Sequence, residues 1–259
     1  MDYSKSGNPK GARSTLRGPD HAQKGAPRPH EGRRRREKGS QGLTRLSSPY
    51  LAPGFYDAAI AKGRHRDIVG GRWDETARVQ MAALLSAGMT PQDHLLDIGC
   101  GSLRLGHKAV PYLDPGHYWG TDASLALMRH GRLTELTDPG ALPEDHLIED
   151  TDFTYRGVPD TITLAIAFGV FTHLPAHRLP PALSNLRIRF PSLRTALVSL
   201  FLSDSTDPTR QADGVVTHSD RPPYHRSRPD VEAEARAAGF TPSWLDQVLP
   251  RGQILLRLS

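Results

Sequence analysis

Residues 95–106 read Leu95-Leu96-Asp97-Ile98-Gly99-Cys100-Gly101-Ser102-Leu103-Arg104-Leu105-Gly106. An apolar run enters a loop with two glycines and then a segment of helical character. Glycines at such a turn let the backbone bend tightly and let a ligand approach the main chain without meeting a Cβ. Free N–H groups where the helix begins favour a carboxylate or phosphate. Gly99, Cys100, Gly101 and Ser102 are therefore candidate binding residues. The spacing is not that of a dinucleotide fingerprint, G-x-G-x-x-G, because Gly106 follows Gly101 by five positions. Asp97, at the strand end, would repel a pyrophosphate but can pair with an ammonium group. The loop favours a ligand carrying both an amine and a carboxylate.

Two further positions stand in register with this loop. The second strand, Tyr118-Trp119-Gly120-Thr121-Asp122, ends in a carboxylate 23 positions after Gly99. A carboxylate there can accept both hydroxyls of a ribose. The third strand is followed by Asp150-Thr151-Asp152-Phe153, where Asp152 and Phe153 suit an adenine amine and ring face. Ala123 and Phe168, at the ends of the second and fourth strands, complete the candidate pocket. S-adenosyl-L-methionine carries an amine, a carboxylate, a sulfonium and an adenosine. Asp97 with the glycine loop suits that mixed charge better than it suits NAD.

These residues need a scaffold that brings strand ends together. From residue 94 the chain alternates strands (94–98, 117–121, 146–150, 161–167, 195–202) with helices (103–112, 124–136, 175–189, 229–238), and two last strands are expected at 241–248 and 253–258. Helices are also expected at 55–60 and 73–87, the latter with Trp73 as a core aromatic. The other reading of Trp73 makes Gly70-Gly71-Arg72-Trp73 a cover over the ligand. Such alternation implies a parallel sheet with helices on both faces, and strands apolar through both faces agree. Ligands on these sheets bind beyond the carboxyl ends of the strands, where the strand order reverses.

The stretch Asp97-Ile98-Gly99-Cys100-Gly101-Ser102-Leu103-Arg104 resembles the first motif of class I methyltransferases, in the subgroup reading D-I-G-C-G-S-L-R. The resemblance spans about residues 66–175, including Val69-Gly70-Gly71-Arg72-Trp73-Asp74 and Val170-Phe171-Thr172-His173-Leu174-Pro175, and returns at Pro250-Arg251-Gly252-Gln253. It implies a three-layer Rossmann-like α/β fold with a mostly parallel seven-stranded sheet and an antiparallel last strand. It also implies S-adenosylmethionine as methyl donor. Gly99 and Gly101 would then line the methionine moiety, Asp97 its amino group, Asp122 the ribose, and Asp152 with Phe153 the adenine. The chain departs from this pattern at Phe168-Gly169 and over 186–195, both on the acceptor side.

Methyl transfer is an in-line displacement that rests largely on holding the nucleophile close to the methyl carbon. A general base is needed only where the acceptor must lose a proton. Candidates are His173, after the fourth strand, and His218, Tyr224 and His225, in a polar stretch read as a loop able to close over the acceptor.

Composition bounds the remaining readings. The single cysteine, Cys100, excludes a disulfide framework, and no metal-ligand spacing occurs among the twelve histidines. No long apolar run and no secretory signal is evident, so the chain reads as cytoplasmic with no membrane contact. Residues 1–48 hold 12 Lys/Arg against 4 Asp/Glu, while the rest holds 21 against 24. The first 48 residues read as a disordered basic tail able to touch a polyanion weakly, and 49–259 as one catalytic domain. A small-molecule acceptor is expected. The alternatives are a nucleic-acid or protein methyltransferase recruited by the tail, or a nucleotide-binding protein without turnover.

Overall fold

A computed structural model describes residues 54–246 and 249–259. The basic tail expected over 1–48 and the end of the strand expected at 241–248 lie outside the described residues. The five strands read from the alternation form as β1 (Leu95–Ile98), β2 (Tyr118–Asp122), β3 (Leu147–Glu149), β4 (Leu164–Ala167) and β5 (Thr195–Leu202). Two more, β9 (Pro242–Leu245) and β10 (Ile254–Leu258), end the chain. The spatial order is β3-β2-β1-β4-β5-β10-β9. β1 pairs parallel with both β2 and β4, whereas β10 runs antiparallel to β5 and β9 antiparallel to β10. This is the expected Rossmann-like methyltransferase fold.

Residue parity explains why the sheet is apolar throughout. Leu95, Leu164, Ile166 and Leu197 belong to one buried cluster; Leu96, Ile98, Ala165, Ala167 and Val198 belong to the other. Successive side chains point to opposite faces, so both faces are covered. The first cluster receives α3 (Trp73–Ser86), α4 (Gly106–Ala109) and α5 (Leu125–Glu135) through Leu84, Ala109 and Met128. The second receives α6 (Leu179–Arg189) and α7 (Arg228–Ala237) through Leu183, Leu186 and Val231. Ser124 caps α5 as expected, its hydroxyl accepting from the Leu127 amide at 3.1 Å.

Two expectations are corrected. The helix expected over 103–112 shrinks to the four residues of α4, because Gly101 and Leu103 both take left-handed φ (55° and 65°) and turn the chain until Leu105. The helix expected at 55–60 does form, as α1 (Phe55–Ala61), and leads into a further short one, α2 (His65–Ile68). The polar stretch read as a covering loop is ordered by the hairpin of β6 (Thr209–Arg210) with β7 (Val216–Thr217) and by β8 (His225–Arg226), which adds to the far end of β5. Among the described residues no helix is long and apolar enough to cross a membrane.

Candidate active site

Strand order reverses between β2-β1 and β4-β5, so the crevice falls over the carboxyl ends of β1 and β4. A cleft opens there. Ile98 ends β1 and Gly99 follows it, Thr121 and Asp122 end β2 with Ala123 next, and Asp150, Thr151 and Phe153 follow β3. Opposite them stand Phe168, Gly169, Val170 and His173 after β4, with Arg251 and Gln253 from the turn before β10. The segment after α2 closes one side through Val69 and Gly70.

The glycine loop is held by its own amides. Gly99 and Cys100 both donate to the Thr121 carbonyl, at 2.7 and 3.0 Å. Gly101 donates to Asp122 Oδ2 at 2.9 Å. The amides of Gly99, Cys100 and Gly101 are therefore spent on β2. Gly99 has φ 70°, and a Cβ there would collide with the Val170 side chain across the cleft. Its lack of a side chain keeps the cleft open between β1 and β4.

Six of the residues singled out in the sequence line the cleft: Gly99, Asp122, Ala123, Phe153, Phe168 and His173. The Asp122 carboxylate accepts from Gly101 and, at 3.3 Å, from Ser124. A carboxylate offers about four acceptor positions, so it keeps capacity for a ligand. Burial pushes its pKa up to about 6, against the pull of these amides. Phe153, in left-handed conformation with φ 55°, is buried, with its ring centroid 5.2 Å from that of Phe171. Burial, and secondarily the Arg251 charge, lowers the His173 pKa to about 4, so its imidazole is neutral at physiological pH.

The others lie elsewhere. Asp97 shares the Leu95 face of β1, pointing away from the cleft, and accepts from the Tyr118 hydroxyl at 2.7 Å; burial raises its pKa to about 7. Cys100 is buried in the core against β2, where Gly120 leaves room for its sulfur. Gly101 and Ser102 face α2 and α5: a Cβ on Gly101 would meet Val69 Cγ1 at 2.6 Å, and the Ser102 hydroxyl donates to the His65 carbonyl at 3.1 Å. Asp152 is exposed and pairs with Arg178 at 3.3 Å. The carboxylate after β3 that reaches the cleft belongs to Asp150, and it accepts from the amides of Asp152, Thr154 and Tyr155, capping its own loop.

His225 is buried with both ring nitrogens engaged, Nδ1 with Thr217 Oγ1 at 2.9 Å and Nε2 with the Ser205 carbonyl at 2.8 Å. It fastens the hairpin of β6 and β7 to β8. Tyr224 is buried beside Thr172, to whose carbonyl its amide donates at 2.7 Å, and does not line the cleft. His218 pairs with Tyr224 in the same bridge. Trp73 packs in the core, stacked on His107 with centroids 5.6 Å apart. Gly70 faces the cleft and Trp73 does not.

Three residues lacking a role in the sequence reading stand in the wall: Arg104, Arg251 and Gln253. Arg104 donates to the carbonyls of Val69 and Gly71, latching that segment over the cleft. Arg251, also in left-handed conformation, donates through its guanidinium to the Gly70 carbonyl at 2.7 Å. The signal for them lay in the quoted Leu103-Arg104 and Pro250-Arg251-Gly252-Gln253 stretches. Among the described residues no group of three or more His, Cys, Asp or Glu could hold a metal ion.

No protein-family model matches the chain, and the search of curated proteins found no match. Solved structures do match. A magnesium protoporphyrin IX methyltransferase from Synechocystis PCC 6803 with bound SAH superposes with TM-score 0.53 at 16% identity, covering 78% of this chain and 95% of that one. A TehB-like SAM-dependent methyltransferase from Corynebacterium glutamicum gives 0.53 at 16%, over 80% and 99%. A DhpI–SAH complex gives 0.53 at 13%, over 78% and 93%. The chain thus has the class I S-adenosylmethionine-dependent methyltransferase fold.

Proposed function

We propose that the protein is an S-adenosylmethionine-dependent methyltransferase acting on a small molecule. The observation that carries this reading is the half-buried Asp122 carboxylate at the end of β2, tied to the glycine loop and open to the cleft. Its position suits a ribose diol, and Phe153, Ala123 and Thr151 form the adjoining surface for an adenine. Arg104, under Val69 and Gly70, supplies the positive charge for an amino-acid carboxylate that the loop amides do not. Two of the similar structures contain bound SAH.

S-adenosylmethionine supplies a methyl carbon made electrophilic by the sulfonium. The chain's part is to hold, align and dehydrate. Ile98, Phe168 and Val170 give the centre of the cleft apolar walls, which exclude water from the transfer path. The neutral His173 imidazole can orient an acceptor by a hydrogen bond. With a pKa of about 4 it is a poor general base near pH 7, so proximity carries most of the rate.

Calorimetric titration tests the reading. Wild-type protein binds S-adenosylmethionine and S-adenosylhomocysteine and does not bind NAD; Asp122→Ala loses roughly 1–3 kcal/mol of that affinity with its hydrogen bonds. Binding of NAD in preference, or an Asp122→Ala variant as tight as wild type, contradicts it.

A further inference from the structure

Donor residues occupy one half of the cleft, at the ends of β1, β2 and β3. The other half is built from β4 and the turn before β10, and its chemistry is different. Phe168, Val170 and Leu174 make its floor apolar. Gln253 is only 7% exposed. Its Oε1 accepts from Ser199 Oγ at 2.6 Å, and Ser199 in turn accepts from the Gly169 amide at 2.8 Å. That chain fixes which end of the amide is which: the Ser199 proton goes to Gln253, so the Gln253 NH2 is the end left over. It has no hydrogen-bond partner among the described residues, though Gln253 lines the cleft. An amide NH2 at the wall of the cleft can donate to a ligand oxygen.

Two residues earlier stands Arg251. Its amide donates to Asp213 Oδ2 at 3.1 Å, which sets the turn, and its guanidinium donates to the Gly70 carbonyl. Asp213 spends its charge on Arg72, 3.0 Å away. No carboxylate among the described residues lies within ion-pair distance of the Arg251 guanidinium. A guanidinium presents five N–H donors, and one is used on Gly70. The rim of this half-cleft thus holds a positive charge with donors to spare, above an amide donor that lines the cleft and an apolar floor.

We infer that the methyl acceptor is a small organic carboxylate whose anionic group is bound by Arg251 and Gln253 while its apolar or aromatic body lies against Phe168, Val170 and Leu174. The inference rests on the methyltransferase reading, since it presumes that the donor occupies the other half. Arg251 and Gln253 are then specificity residues, and a charge-assisted hydrogen bond to carboxylate is lost with a neutral isostere.

The test is binding of benzoate and 4-hydroxybenzoate, each beside its primary amide, to wild-type protein saturated with S-adenosylhomocysteine, followed by calorimetry and ligand-observed NMR. The carboxylates are expected to bind about tenfold more tightly than the amides. Arg251→Gln should abolish that preference. Gln253→Glu, which keeps an acceptor for Ser199 but removes the donor, should reverse it in favour of the amides. Equal binding of acid and amide, binding of neither, or an unchanged preference in both variants overturns the inference and leaves the donor assignment standing. Failure of S-adenosylhomocysteine itself to bind overturns the methyltransferase reading, and this inference with it.

Discussion

Asp97 and Asp122 lie at the ends of neighbouring strands, yet they do different work. Asp97 alternates with Leu96 and Ile98 and shares the Leu95 face, so its carboxyl goes into the core beside Tyr118. Asp122 is the last residue of β2, at its carboxyl end, and lines the cleft. The place of Asp97 on the Leu95 face was readable in the sequence from the two-residue alternation of a strand. Burial raises the Asp97 pKa to about 7 from 3.8. Between those values the folded chain binds the proton that the unfolded chain releases, so this group's contribution to stability falls as pH rises from about 4 to about 7. Asp97→Asn keeps an acceptor for the Tyr118 hydroxyl and carries no charge. Its melting temperature relative to wild type should therefore climb between pH 5 and pH 8 in a thermal-melt series. A difference that is the same at both ends shows that Asp97 is not held as a costly buried carboxylate. His225 was beyond reach of the sequence, because nothing local reveals that both its ring nitrogens meet partners on other segments.

At the level of elements, the strands were legible because buried parallel strands are apolar through both faces, and the Ser124 cap because a hydroxyl precedes an amphipathic run. The shortness of α4 was not, since it follows from Leu103 taking a conformation that leucine rarely adopts. Nor was the contact that fixes the glycine loop from behind. Gly131, inside α5, brings the helix so close to the loop that a Cβ there would lie 2.7 Å from Ser102 Cα and nearer still to its carbonyl. These are backbone atoms and cannot swing aside. Gly131→Ala should cost about 1–3 kcal/mol by overpacking, lowering the urea midpoint, and should weaken S-adenosylhomocysteine binding because the displaced loop carries Asp122 with it. A variant with unchanged midpoint and affinity shows that the loop does not depend on this approach. The helix pair α2 and α5 is tied alongside by Glu135, which takes His65 at 2.6 Å and Arg66 at 2.7 Å. That tie sets the Val69–Gly70 wall of the cleft.

For the whole molecule, charge and fold separate. The chain carries a formal +5, with an excess of eight positive charges in residues 1–48 alone, while the sheet and its cleft belong to the slightly acidic remainder. The proposed role of these 48 residues is weak attraction to polyanions. Replacing Arg33, Arg34, Arg35 and Arg36 with Gln in the full chain should weaken retention on heparin and flatten its salt dependence, as fewer counterions are released; identical elution would remove that role. Architecture was the most legible level, because strand alternation and one glycine loop specify where a sheet of this order opens. The far wall was the least, since Arg251 and Gln253 come from a turn some 150 positions downstream of the glycine loop (Gly99 to Gln253). The central claim is that this cleft holds an adenosyl amino acid with its ribose on Asp122. A crystal structure grown with S-adenosylhomocysteine tests it directly. Both ribose hydroxyls should donate to the Asp122 carboxylate, with the adenine against Phe153 and the amino-acid carboxylate beside Arg104. A ligand bound outside the cleft, or seated in it with the ribose away from Asp122, would contradict the account.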